Sequence, residues 1–250
     1  VIAVNGIGLW APGFANLEAF RAGEADEAVT MPKCAIANAR AKRGVSRIAR
    51  MLAEVTQQAA EDAGVDLSQV PTVYASAWGE IDIMIKLLDQ IADGEVGLSP
   101  LRFKHSVHNS ASGLVSIATE NRGFSTAIAA GRRTFEQGVL EALTLLRTTE
   151  NDSVILAVAE DELPKPLDRY GRYEALAVGL CFGKTPGDGA HGNLGFPRRA
   201  SEVVHPRLPE AYAENPTAHA LPLLDALASG EPVKGLALSA ADRPFAVDVS

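Results

Sequence analysis

Cysteine is scarce in this chain: Cys34 and Cys181 are the only two in 250 residues. That excludes a disulfide framework, and neither cysteine has zinc-ligand spacing to a partner, so no metal and no cofactor is expected. Aromatic residues make up only 6%. No apolar run reaches the 18 residues that a membrane helix needs, so membrane insertion is not expected. Positive charge is also in deficit. Net charge is −8 and the pI about 5.2, which argues against nucleic-acid partners, since these need a basic face. The opening "VIAVNGIGLWAPG" has no basic start and no small-residue cleavage site after a long apolar run. No signal peptide is expected from it, and the reading is a cytoplasmic protein.

What remains is a globular composition, 47% hydrophobic and 22% charged. Apolar runs alternate with helical patterns. "SRIARMLAEVTQQAAEDAG" repeats Ile48, Met51, Leu52, Val55 and Ala59 at helical spacing, with Ser46 as the cap and Gly64 as the stop. "TVYASAWG", "FSTAIAAG", "SVILAVAED" and "ALAVGLCFG" read as strands, and "RRTFEQGVLEALTLLRTTEND" as a helix. "LSPLRFKHSVHNS" reads as a loop leading into a helix over about 107–119, with Asn109 and Ser110 as cap candidates. After residue 184 the stretch "KTPGDGAHGNLGFPRR" is rich in Gly and Pro and reads as an irregular arm. A helix at "AHALPLLDALASG" and two short strands in "VKGLALSAADRPFAVDVS" follow. This alternation predicts an α/β layered fold with a largely buried mixed sheet.

The ordered segments "VNGIGLWAPGFANLEAFRAG", "RMLAEVTQQAAEDAGVD", "YASAWGEID", "SPLRFKHSVHNSASGLVSIATENRG" and "SVILAVAEDE" resemble the N-terminal half of β-ketoacyl synthases, members of the thiolase superfamily. The likeness covers residues 1–183, which are taken as a thiolase-type half. Residues 184–250 are taken as a short irregular C-terminal extension packing on the same domain. The resemblance implies a mixed five-stranded sheet flanked by helices. In that family a strand–turn–helix carries the nucleophilic Cys. Here the stretch is "GFSTAIAAGRRTFEQG", and Arg132 stands nine residues after Gly123 and fifteen before Arg147, where the resemblance places the thiol.

The family's two catalytic histidines have no counterpart motif. Of His105, His108, His191, His205 and His219, only "AHGNLG" imitates one, and it lies elsewhere in the order and lacks the Thr. No catalytic residue is therefore assigned. Arg132 and Arg133 stand at a helix start, where the dipole repels a cation, and Glu136 is within one helical turn of Arg132. They read either as exposed arginines whose turn has lost its catalytic role, or as a plug or a contact for a partner's anionic group. His105 and His108, three apart, lack a third metal ligand. "ARAKRG" with Arg47 and Arg50 makes a basic cluster, read as a solvated helix start or a contact for an acidic carrier protein.

By analogy with chain-length factors, the resemblance implies a non-condensing subunit of a fatty-acid or polyketide-type pathway, such as aryl polyene synthesis. Its partner would be a full-length β-ketoacyl synthase in a heterodimer, or a second copy in a self-dimer, with acyl carrier protein as a further partner. The dimer seam would be Ser125, Thr126, Ala127, Ile128, Ala129 and Ala130. The border of the acyl tunnel would be His108, Asn109, Leu114 and Ile117. Two alternatives remain: an acyl-transferring enzyme using Ser125, Thr126 or Cys181, and a carrier-docking scaffold.

Overall fold

A computed structural model describes residues 1–94 and 97–250. Among the described residues nine strands form one sheet. Five come from the first 183 residues: β1 (Ile2–Trp10), β2 (Thr72–Ala75), β3 (Ser125–Ile128), β4 (Ser153–Glu160) and β5 (Leu176–Gly183). They lie in the order β3-β2-β4-β5-β1. β2 is parallel to β3 and β4, whereas β5 is antiparallel to β4 and β1, so the sheet is mixed as expected.

The sheet then continues through the C-terminal residues. β6 (Gly192–Leu194) pairs with β1, and β9 (Phe245–Val249) pairs with β6, β7 (Arg198–Arg199) and β8 (Val233–Ala237). The Gly/Pro-rich stretch after residue 184 is thus not wholly irregular. It contributes two short strands, because β1 and β9 offer backbone partners that no local pattern reveals.

Helices cover both faces. Alternate residues of the strands divide cleanly. Val154, Leu156 and Val158 of β4 join Leu176, Val178 and Leu180 of β5 in a core closed by α6 (Thr134–Thr148) and α7 (Ala220–Ser229). Ala157, Ala159 and Ala177 face the other way, toward α2 (Arg47–Ala63) and α5 (Ser110–Thr119). The apolar face of residues 1–183 is therefore covered in part by α7, whose Leu221, Leu223 and Leu224 are buried in that core.

The seat of α2 depends on absent side chains. A Cβ at Gly6 or Gly8 of β1, or at Gly179 of β5, would run into the α2 backbone at Val55 and Ala59. The helix lies directly on the strands as a result. Its ends follow the sequence signals: the Ser46 hydroxyl accepts from the Ala49 N–H, and Gly64 closes it with a left-handed φ of 65°.

Three smaller elements complete the layers: α1 (Leu17–Ala22), α3 (Ile81–Ala92) and α4 (Pro100–His105). The last was expected to be loop. Ser99 accepts a hydrogen bond from the Arg102 N–H and Pro100 occupies the first turn, so a short capped helix forms there. The helix expected over about 107–119 begins at Ser110. His108 and Asn109 consequently precede it, and Asn109 sits at the N-cap position without a capping side-chain bond.

A candidate site at the β3–α6 turn and the α5 face

β3 enters a tight turn built from small residues. Gly131 adopts a φ of 55°, and one 3-10 turn over Gly131–Arg133 leads into α6. Thr134 locks this geometry: its hydroxyl accepts from the Ala130 N–H at 3.1 Å and donates to the Gly131 carbonyl at 2.7 Å. The strand ends at Ile128, so Ala129 and Ala130 belong to the turn rather than to the strand.

The two arginines of the turn have separate environments. Arg132 has a side chain 71% exposed and comes only within 4.0 Å of Glu214. Arg133 donates to the carbonyls of Asp242 and Arg243 and lies 3.6 Å from Glu136. Glu136 thus pairs with Arg133, not with Arg132 as helical spacing suggested, because the 3-10 turn breaks the helical spacing before Thr134. Glu136 is fully buried and also accepts from the Ser239 hydroxyl at 2.6 Å and the Phe245 N–H at 3.0 Å. This carboxylate latches the segment 239–245 to the start of α6. His219, at the head of α7, is held down to about 4 by burial and by the charge of His205, with Glu136 acting in the opposite sense.

A second buried carboxylate organises the neighbouring loop. Glu160 ends β4, is 1% exposed and accepts from the Ala77 N–H. Burial raises its carboxyl to about 8, and raises Glu80 to about 7. Sequence patterning hid both, since buried acids look like surface acids in a composition. The Ser76 hydroxyl accepts from the Gly79 N–H at 2.8 Å, and a Cβ on Gly79 would strike the His108 ring. His108 in turn donates Nε2–H to the carbonyl of Ile128 at 2.9 Å. So Glu160, the 76–79 loop and His108 together hold the end of β3. His105 and His108 do not share a helix, for α4 ends at His105.

β3 itself is an edge strand. Among the described residues it pairs with β2 alone, and Ser125 to Ile128 are all half-buried. Its odd and even residues differ. The Thr72 and Ser76 N–H groups donate to the carbonyls of Phe124 and Ile128, so the backbone groups of Ser125 and Ala127 point away from β2. Ser125 Oγ is bonded to Thr72 Oγ1 at 2.9 Å and to Ser112 Oγ at 2.7 Å, and among the described residues no base bonds it. On α5, Leu114 is 9% exposed and Ile117 is 74% exposed.

The remaining candidates fall elsewhere. His191 bonds Asp62 at 2.6 Å in the last turn of α2, at the far end of that helix from Ser46. Cys181 is fully buried, and burial pushes its thiol up to about 12. Cys34 is also buried, and burial raises its thiol. Neither sits in the electropositive, open setting that activates a thiol.

A family model described as "Beta-ketoacyl synthase, N-terminal domain" matches residues 18–242. The chain belongs to that family. Its structure is similar to a chain of the complex of the ketosynthase ApeO with its chain length factor ApeC from Xenorhabdus doucetiae. The TM-score is 0.74 at 22% identity, covering 100% of this chain and 98% of that one. The ishigamide ketosynthase/chain length factor matches at a TM-score of 0.61 and 13% identity, over 74% of this chain and 62% of that one. A β-ketoacyl synthase from Burkholderia phymatum STM815 matches at 0.65 and 11% identity, over 97% and 75%. At these identities the likenesses establish the shared thiolase-like fold. Comparison with curated proteins finds no match. Among the described residues no helix is long and apolar enough to cross a membrane.

Proposed function

We propose that this chain is a non-condensing subunit that pairs with a full-length β-ketoacyl synthase in a fatty-acid or polyketide-type pathway, in the manner of a chain-length factor. The observation that supports the reading is the β3–α6 turn: at the position where the sequence resemblance puts the family's thiol, an exposed arginine stands beside a strand edge that is unpaired among the described residues. A helix N-terminus lowers the pKa of a thiol but repels a guanidinium, which favours reading this turn as one that lacks a nucleophile. In the proposed dimer, Ser125–Ile128 aligns with the equivalent strand of the partner, and the turn residues Ala129 and Ala130 complete the seam. Small side chains allow that close approach. The tunnel wall is α5, with Leu114 and Ile117 facing the growing acyl chain and His108 and Asn109 at its entrance. Similarity to ketosynthase–chain length factor structures supports this pairing.

Co-expression with a full-length synthase followed by size exclusion tests the pairing. A stable one-to-one complex is expected, and a self-dimer that ignores the synthase counts against it. The enzyme alternative is weaker, because Ser125 lacks a base and Cys181 is sealed in the core. Incubation with acyl thioesters and mass spectrometry should show no covalent adduct.

A further inference from the structure

A hollow of about 710 Å³ opens between the starts of α2 and α3, helix α4 and residues 161–164 after β4. That size suits a small molecule. It draws on no residue of the proposed seam or tunnel border. Its charges divide unevenly. Glu80, Asp82, Asp161 and Glu162 line it with Arg47, Lys86 and Arg102, so four acids against three bases leave one negative charge. Arg47 lies 3.0 Å from Asp161 and 3.6 Å from Glu162, and Lys86 pairs with Asp82. Glu80 is the acid left over. It is 6% exposed and forms no ion pair among the described residues. Its Oε2 is buried and has no hydrogen-bond partner among them. The hydroxyls of Ser46 and Ser110 favour its ionised form without completing a bond to that oxygen. Burial holds the carboxyl up to about 7, and the charges of Asp82 and Asp161 act in the same sense.

A second polar atom of the same lining is also unsatisfied. Arg47 Nε is buried without an acceptor among the described residues, although its Nη1 bonds Asp161 and its guanidinium lies over the Trp10 ring. Those contacts hold Arg47 in place, so it does not serve Glu80. An orphaned buried carboxyl and an orphaned buried N–H each cost free energy until they are paired. A ligand that brings a cationic donor to the first and an acceptor to the second recovers both. Among the described residues no group of three or more His, Cys, Asp or Glu could hold a metal ion. Val45, Leu101 and Leu163 give the hollow an apolar wall, which suits an organic cation. We infer that this hollow binds a small amino alcohol, its ammonium at Glu80, its hydroxyl at Arg47 Nε and its carbon chain along the apolar wall. The inference needs no synthase partner and stands apart from the pairing proposal.

NMR titration of the isolated chain tests it with linear amino alcohols from aminopropanol to aminohexanol, and with pentylamine, pentanol and calcium chloride for comparison. Saturable shifts confined to the lining of the hollow are expected, strongest for one of the amino alcohols, weaker for pentylamine and absent for pentanol and calcium. Glu80→Gln keeps the shape of the side chain and removes its charge. It should weaken amino alcohol binding roughly tenfold or more, as loss of a charge-assisted hydrogen bond implies. Asp82→Asn breaks only the exposed pair with Lys86 and should change binding by less than about threefold. Thermal melting shows whether the variants remain folded. Should Glu80→Gln unfold, the ranking of the probes on the unaltered chain still decides. No saturable binding of any amino alcohol overturns the inference. Equal binding of pentanol, a preference for calcium, or undiminished binding to folded Glu80→Gln does so too. Pentylamine binding as tightly as the amino alcohols overturns it in favour of a plain amine site.

Discussion

The two ends of the sheet are built in opposite ways. At the C-terminal end, β8 carries Lys234 and a register shift around Gly235, whose φ is 70°. Val204 covers it through paired backbone bonds to Gly235 and Ala237. Charge, bulge and cover are the devices by which proteins keep a strand edge from recruiting another chain. At the other end, β3 is straight, uncharged, half-buried and uncovered among the described residues. Phe124 and Ile117, both largely exposed, lie beside it in sequence and on the adjacent helix. One edge is defended and the other is left open, which is the arrangement expected of a subunit that adds its sheet to a partner's.

The sheet's centre provides the reference for any damage at its edges. Gly179→Val places a side chain where the α2 backbone lies, and should cost more than about 3 kcal/mol or prevent folding, as overpacking against backbone does. Denaturant unfolding measures this. By contrast, Ala127→Pro should spare the fold, because the Ala127 N–H faces away from β2. It should nevertheless weaken complex formation with a synthase by tenfold or more, read by size exclusion against an unchanged circular-dichroism spectrum.

A third comparison uses pH. Glu160 and Glu80 hold protons up to about 8 and about 7, whereas in the unfolded chain carboxyls of this type titrate near about 4.3. The native state therefore binds more protons than the unfolded one, and stability falls as pH rises through that window. His219, held at about 4, acts in the opposite sense until its ordinary value of 6.5. The clean interval is therefore about pH 6.5 to 8. There, thermal melts should fall with pH, and Glu160→Gln should flatten the slope. The smallest effects belong to the turn. Arg133→Ala should cost about 1 kcal/mol by releasing the 239–245 segment, whereas Arg132→Ala should change stability by less than about 0.5 kcal/mol.

Much of the scaffold was legible from local pattern. The Ser46 cap, the Gly64 stop and the apolar stripe of α2 appear in the structure as read. So does the strand–turn–helix around Arg132, with boundaries a few residues narrower. What stayed hidden depends on distant partners. β6 and β7 exist because β1 and β9 accept them, and α4 depends on a two-residue cap rather than on periodicity. The Arg133–Glu136 pairing required knowing that a 3-10 turn precedes α6. The buried Glu160, Glu80 and His219 could not be told from surface residues, since burial is set by the packing of several elements at once.

The most direct test of the account is hydrogen exchange at β3 with and without a co-expressed full-length synthase. The outward amides of Ser125 and Ala127 should be poorly protected in the isolated chain and strongly protected in the complex, while β8 stays unchanged. A complex that forms without added protection at these two residues, or no complex at all, would contradict it.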